Sequence, residues 1–302
     1  MSLPKGWKGA DILFLDCDST LSSLEGIDEL ADRAQIDVSE LTNRAMAGEL
    51  ALEDVYGERL RQIEPTAADF EWLGQRYIDT EVEGASQVIR VLTEIGVECH
   101  ILSGGLLPGI LPFAAHLGIP AERVHAVPYP LADGDRSGTS AAEQAAVAVE
   151  VACAHPLAQN GGKPAMIEKL CAEPLHYRKR RMIVGDGNSD LEAAVNVGLM
   201  VGFGGVEVRA KVQQQSHLFL TENNLYAVAA LAAGNLRAEE IRATDMDLYM
   251  KGVQQLSDIF AAKYEAEHGP PQGRPQGGAP LHRGSGSPQT PLHRGNIEPE
   301  EV

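Results

Sequence analysis

A chain of 302 residues with 44% hydrophobic content is long enough for one α/β core plus a smaller second domain or extension, and it reads as globular. Its 25 Lys+Arg against 43 Asp+Glu give a formal charge of −18, which argues against nucleic acid or an anionic membrane as the main partner; an anionic substrate would need a metal ion or a few placed cations. No apolar run reaches the roughly 18 residues of a membrane span and Met1 to Gly9 lacks the apolar stretch of a signal peptide, so the expected location is the cytoplasm.

Ile12 to Leu15 is a short, continuous apolar run, the pattern of a strand buried on both faces of a parallel sheet. It gives out in Asp16 and Asp18, two apart, whose side chains can converge beyond the strand's carboxyl end, where open α/β sheets hold ligands. Helical periodicity follows in Glu25 to Ala34, Leu41 to Ala47, Leu52 to Ile63 and, after Pro65, Ala67 to Ile78. Residues 22–80 therefore read as a small helical bundle. From Gly84 an amphipathic helix (Val88, Ile89, Val91, Leu92, Ile95) stops at Gly96, and Val97 to Leu102 reads as a second strand. The α/β rhythm continues through Leu106 to Leu117, Arg123 to Val127, Ala141 to Ala154, Ala165 to Cys171, Arg181 to Val184, Leu191 to Val197, Leu199 to Phe203, His217 to Leu220 and Leu225 to Ala233.

Asp133 to Gly138 reads as a turn-rich surface insert. Leu236 to Tyr264 predicts one long helix with a broken apolar stripe, packed back on its own domain, with a homodimer through it as the alternative. From Gly269 the composition turns to Gly, Pro, Gln, Ser and His, and Pro-Leu-His-Arg-Gly occurs at 280–284 and again at 291–295. Such a tail lacks the apolar surface to fold and is expected to be disordered. The expected organisation is an α/β core over 1–21 and 81–235 with a Rossmann-like parallel sheet, a helical cap over 22–80 inserted after the first strand, a C-terminal helix over 236–266 and a tail over 267–302.

Four widely spaced cysteines, Cys17, Cys99, Cys153 and Cys171, form no Cys-x-x-Cys pair and suggest reduced thiols rather than zinc or disulfides. Cys17 would point away from both neighbouring carboxylates if strand alternation persists there. Beyond Asp16 and Asp18, three stretches carry chemistry. In Leu102-Ser-Gly-Gly105 a strand ends in a hydroxyl and two glycines before a helix, so that backbone amides and Ser103 can approach an anion. Asn160-Gly-Gly-Lys-Pro164 presents Lys163 at a helix start, unfavourable against the macrodipole unless an anion or carboxylate lies nearby. Met182 to Asp190 runs a strand into Asp186 between two glycines, with Asp190 in the first helical turn. Carboxylates clustered without His or Cys suit Mg²⁺, and the lysine and amides suit phosphate oxygens, so the inventory fits phosphoryl transfer.

Asp16-Cys-Asp-Ser-Thr20, Ser103, Lys163 and Gly185-Asp-Gly-Asn-Ser-Asp190, in that order over about residues 10–235, resemble the four motifs of the haloacid-dehalogenase superfamily of aspartyl-phosphate phosphatases. Within it, Asp16 to Leu21, Glu25 to Leu30 and the helical insertion are similar to phosphoserine phosphatases. The resemblance implies Asp16 as nucleophile, Asp18 as general acid and then base, and Mg²⁺ held by Asp16, the Asp18 carbonyl and Asp186, with Asp190 ordering metal-bound water or Lys163. Ser103, the Gly104 amide and Lys163 would neutralise the phosphoryl oxygens, with Ser189 beside them. In the cap it implies Glu25 for a substrate amino group, Arg59 for its carboxylate, and Met46 and Leu52 as apolar walls. The family often has an aromatic residue at Leu52 and Asn at Ser189. The implied reaction is hydrolysis of phosphoserine, the last step of serine biosynthesis. Alternatives are another small phosphate ester, such as phosphohomoserine or a sulfur-salvage intermediate, and a signalling receiver domain, which would not need the helical cap.

Overall fold

Six short apolar segments pair into one parallel sheet: β1 (Ile12–Leu15), β2 (Glu98–Leu106), β3 (Val124–Val127), β4 (Arg181–Gly185), β5 (Leu199–Phe203) and β6 (Leu218–Leu220). Their order is β3-β2-β1-β4-β5-β6. The computed structural model describes residues 3–37, 52–131, 140–172 and 178–268. Met1–Ala262 is one compact unit; of the second, Lys263–Val302, only 263–268 are described. Every β1 residue is buried, with Leu13 opposite Cys99 on one side and Met182 on the other, as its unbroken apolar run requires.

The sheet order places the site. The chain lays down β2 and β3 on one side of β1, then crosses back to lay down β4, β5 and β6 on the other. The strand order thus reverses between β1 and β4, and the connections leaving their carboxyl ends diverge to open a crevice there. Asp16 and Asp186, each one residue beyond its strand, fall at that crevice.

Between β1 and β2 lie α1 (Gly26–Ala34), α2 (Leu52–Ile63), α3 (Ala67–Asp79) and α4 (Ala85–Glu94). Thr66 and Asp69 form a capping box that starts α3, and Arg33–Asp69 at 2.7 Å and Arg76–Glu29 at 2.9 Å tie α3 to α1. Tyr77 of α3 stacks on Phe113 of α5 (Leu107–His116), with ring centroids 5.7 Å apart, which fixes the helical insertion over the sheet's carboxyl edge. Downstream come α6 (Ala141–Ala154), α7 (Gly162–Cys171), α8 (Asn188–Glu192), α9 (Ala210–Gln215), α10 (Tyr226–Ala233), α11 (Ala238–Thr244) and α12 (Met246–His268).

Two expectations change. The single helix over Leu236 to Tyr264 is two, α11 and α12, because Asp245 leaves helical geometry (φ −156°, ψ 89°) and its Oδ1 accepts the Leu248 amide, capping the second helix. The second strand runs on through Ser103, Gly104 and Gly105 to Leu106, with an irregularity in its pairing to β3 between Leu102 and Leu106. The helix that follows begins only at Leu107, with Pro108 in its first turn, so the Gly104 and Gly105 amides belong to an irregular strand end and not to a helix start. The helix expected over 41–47, the insert at 133–138 and the tail from 269 lie outside the described residues. Among the described residues, no helix is long and apolar enough to cross a membrane.

Since Leu13 is fully buried with strands on both sides, Leu13→Ala leaves a cavity that the sheet cannot close. A loss of about 2–5 kcal/mol of unfolding free energy is expected from denaturant titration; a loss below about 1 kcal/mol would show the centre of the sheet to be loosely packed.

Candidate active site

At the end of β1 the chain turns sharply, and Ser19 adopts the left-handed region (φ 51°) so that Glu25 returns to the strand's end. The Ser19 hydroxyl donates to Glu25 Oε1 at 2.8 Å and closes this turn. Asp16 Oδ1 accepts the Cys17 amide at 2.8 Å, and its Oδ2 lies 2.7 Å from Lys163 Nζ. The Lys163 ammonium also donates to Asp190 Oδ1 at 2.7 Å, and Asp190 Oδ2 accepts the Gly187 amide at 3.2 Å. This packing needs glycine at 185, where a Cβ would come within 2.1 Å of the Asp190 carboxyl carbon.

Asp18 faces different neighbours. Its Oδ1 accepts the Tyr77 hydroxyl at 2.6 Å and the Gly26 amide at 2.9 Å. Its Oδ2 lies where a Cβ at Gly105 would come within 2.7 Å, so the irregular end of β2 carries glycine to admit the carboxyl. Cys17, between the two aspartates, is fully buried, and burial with the Asp18 and Asp16 charges pushes its thiol well up; it is a core side chain, not a thiolate.

Asp16, Asp18 and Lys163 face one cavity of about 370 Å³. Asp16, Asp18, Glu25, Arg59, Gly104, Lys163, Asp186 and Ser189 all line it, as the sequence led us to expect of one site. Asp190 and Ser103 are fully buried behind the lining, and the Ser103 hydroxyl accepts the Gly105 amide at 2.9 Å. Met46 and the side chain of Leu52 lie outside the described residues. Glu25 and Arg59 are both engaged: Glu25 Oε1 is 3.3 Å from Arg209 Nη2, and Arg59 Nη1 is 3.2 Å from Asp28 Oδ1.

Three lining or supporting residues were not foreseen. Tyr77 supports Asp18 from 59 residues away and reads in sequence as an ordinary core position of an amphipathic helix. The Tyr56 hydroxyl, on α2, donates to the Gly104 carbonyl at 3.1 Å and joins the helical insertion to the end of β2. Arg209 places Nη2 3.0 Å from Asp186 Oδ2 and 2.7 Å from Glu207. Its only signal is position: it follows Gly204-Gly205 in the loop leaving β5, at the sheet's ligand-bearing edge.

The electrostatics follow from putting many carboxylates in one dry place. Burial lifts Asp18 to about 8, helped by the Glu25 charge and resisted by its Tyr77 hydrogen bond, and this keeps it protonated near neutrality. Burial and the Asp16 charge raise Asp186 to about 7, against the pull of Arg209, and raise Asp190 well above the carboxylate range, against the pull of Lys163. Burial alone would lower the Lys163 ammonium, but Asp16 and Asp190 outweigh it and hold it above the ordinary lysine value.

Asp16, Asp186 and Asp190, all buried, offer oxygens within 4.8 Å of one another. Asp186 Oδ2 accepts no hydrogen bond among the described residues and has only its ion pair with Arg209. An oxygen-only donor set with one such acceptor fits a hard divalent cation. Without one, Asp18 and Asp186, their folded-state pKa raised above the free carboxylate value, stabilise the fold fully only below about pH 4 and withdraw that contribution as pH rises through about 7 and 8. Glu25 and Asp16 add to the repulsion, and Lys163 and Arg209 oppose it. Chelated protein is therefore expected to melt lower at about pH 8.5 than at about pH 5, with the fall reduced in Asp186→Asn; a melting temperature that rises over that interval would contradict the charge assignment.

Comparison with known proteins agrees with this geometry. No family model matches the chain. It is 32% identical over 223 residues to the phosphoserine phosphatase of Rattus norvegicus, which spans 73% of this chain and 93% of that protein, and equally so to the Homo sapiens enzyme. A solved structure described as a phospho-aspartyl intermediate analogue of phosphoserine phosphatase superposes with a TM-score of 0.55 at 23% identity, covering 73% of this chain and 98% of the other. At that identity the superposition shows the shared fold, while the curated relatives show the family. With two aspartates at one strand end, a lysine between carboxylates and a cavity under a helical insertion, the chain belongs to the phosphoserine phosphatase family of haloacid-dehalogenase phosphatases and is a phosphoric monoester hydrolase.

Proposed function

We propose that this chain hydrolyses O-phospho-L-serine to L-serine and phosphate, with Mg²⁺, through an aspartyl phosphate on Asp16. The observation that carries the reading is the unequal surroundings of Asp16 and Asp18 at one strand end: Asp16 is paired with the Lys163 ammonium, whereas Asp18 is buried against Tyr77 and Gly26. Environments that separate two carboxyl groups in this way assign one as nucleophile and the other as acid.

In the first step an Asp16 carboxylate oxygen attacks phosphorus, the bond from phosphorus to the seryl oxygen breaks, and Asp18 gives its proton to that oxygen. In the second, the Asp18 carboxylate takes a proton from water as the water oxygen attacks phosphorus, and the bond from phosphorus to Asp16 breaks. Lys163 and the Gly104 amide meet the charge that spreads over the phosphoryl oxygens, and the buried Ser103 hydroxyl braces the Gly105 amide behind them. Asp16, Asp186 and the Asp18 carbonyl would hold Mg²⁺, with Asp190 behind them orienting Lys163; the ion supplies the positive charge that lets a phosphate dianion approach a carboxylate cluster. The solved relative described as a phospho-aspartyl intermediate analogue supports the covalent step.

Selectivity comes from the helical insertion. Phosphoserine carries an ammonium and a carboxylate beside its phosphate, and Glu25 and Arg59 line the same cavity with opposite charges. One partner of Arg59 is Asp28, whose side chain is 51% exposed, and a substrate carboxylate would take the place of that solvated contact. A receiver domain would have no use for Tyr56 and Arg59 of α2 over the acidic edge, and these residues favour a small-ester phosphatase. On this reading the reaction is the last step of serine biosynthesis, in the cytoplasm.

Phosphate release is expected to be fastest with phosphoserine in a screen of phosphorylated amino acids, sugars and nucleotides with Mg²⁺. Truncating one partner of a desolvated charged contact costs roughly 2–5 kcal/mol, so Arg59→Ala should lower kcat/KM for phosphoserine by about 30-fold or more. Hydrolysis of an aryl phosphate, which has no carboxylate, should fall far less. Equal losses on both substrates would make Arg59 structural and move phosphohomoserine or another ester ahead.

A further inference from the structure

The chain's cations are not evenly spread. Arg178-Lys-Arg-Arg181 places four basic residues in succession in a protein of net charge −18, and with Lys5 and Lys8 it gathers six of the 25 Lys+Arg near one end of the sheet. Five of the six, Lys5, Lys8, Lys179, Arg180 and Arg181, line a second cavity of about 410 Å³ together with Trp7, and no carboxylate lines it among the described residues. Arg181 opens β4, and Gly198 of the lining immediately precedes β5, so the cavity lies at the amino ends of strands whose carboxyl ends bear the active site.

The cluster is braced. Arg180 is held by Asp11 at 2.7 Å and by the Gly9 carbonyl at 2.7 Å, the Lys179 ammonium is paired with Glu98, and Arg181 Nη1 donates to the Asn196 carbonyl at 3.1 Å. Asp11 is shared with Arg237 at 2.9 Å, so it cannot neutralise Arg180 fully. The Trp7 indole is fixed by a 2.9 Å hydrogen bond from Nε1 to the Leu231 carbonyl. At the rim, Lys5 and Lys8 are exposed, and neither forms an ion pair among the described residues. Glu98 and the shared Asp11 offset part of this charge, and the cations that remain uncompensated around one concavity repel one another unless a further anion joins them. Ammonium and guanidinium groups around one hollow match phosphate oxygens, and its size lies near the lower end of the roughly 300–1,000 Å³ of small-molecule sites.

We propose that this cavity is a binding site for a small phosphate polyanion, separate from the active site. Lys5 and Lys8 close over the ligand from the rim, Lys179, Arg180 and Arg181 meet its oxygens, and the Trp7 ring forms an apolar wall.

Trp7 and Trp72 are the two tryptophans, so Trp72→Phe leaves Trp7 as the only indole reporter. Titrating that full-length variant with inorganic pyrophosphate in chelated, low-salt buffer should give a saturable fluorescence change. Adding Lys5→Glu and Lys8→Glu should raise the dissociation constant about tenfold or more, the equivalent of at least about 1.4 kcal/mol, while aryl phosphate hydrolysis with Mg²⁺ stays unchanged and reports an intact fold. The milder Lys5→Gln and Lys8→Gln pair should weaken binding by a smaller factor. No saturable change, or one dissociation constant shared by the parent and both pairs, would overturn the proposal.

Discussion

One buried ammonium holds the acidic edge together. Lys163 is 2% exposed and sits 2.7 Å from both Asp16 and Asp190, joining the end of β1 to the first turn of α8. A buried lysine without partners would lose its proton, and buried carboxylates without a cation would gain theirs. Here Asp16 and Asp190 outweigh burial and hold the proton on the ammonium, while burial still raises Asp190 against the pull of Lys163. Yet one ammonium cannot satisfy Asp16, Asp186 and Asp190 at once, and the remaining imbalance appears in the raised Asp186 and Asp190 and in the recruitment of Arg209 from the β5 loop. The site is thus poised for one more positive charge and for a substrate that brings phosphate.

The same constraint divides the labour between residues two apart in sequence. Strand alternation sends Asp16 toward Lys163 and α7, and the left-handed turn at Ser19 folds the chain back so that Asp18 meets the Gly26 amide and the Tyr77 hydroxyl. Stacking of Tyr77 on Phe113 makes the helical insertion part of the acid's support as well as the site's roof. A change in how that insertion packs would therefore reach the proton on Asp18 without touching the sheet.

The six strands were legible because each is a short apolar run ending in turn residues or charge, and the acids at the ends of β1 and β4 were legible because nothing apolar explains them. Lys163 announced itself by standing at a helix start, where a cation is unfavourable. What escaped were contacts that only the tertiary fold creates. Tyr77 and Tyr56 look like core residues of amphipathic helices until their hydroxyls are seen to reach Asp18 and the Gly104 carbonyl, and Arg209 meets Glu25 across 184 residues. The strand that continues through Ser103 to Leu106 defeats reading by turn residues, since Gly105 serves close approach to Asp18 and Gly104 lies against the Leu157 carbonyl, and neither makes a turn. The break at Asp245 was hidden in an apolar stripe that continues on both sides of it.

The most direct test of the account is to look for phosphate on Asp16. Full-length protein mixed with Mg²⁺ and phosphoserine labelled in its phosphate, then quenched in acid within the first turnover, should carry label in the peptide containing Asp16, released by hydroxylamine as an acyl phosphate is. Asp16→Asn should carry none while keeping its melting temperature within a few degrees. Label found elsewhere, or turnover by Asp16→Asn near that of the parent, would contradict the assignment of Asp16 as the nucleophile on which the account rests.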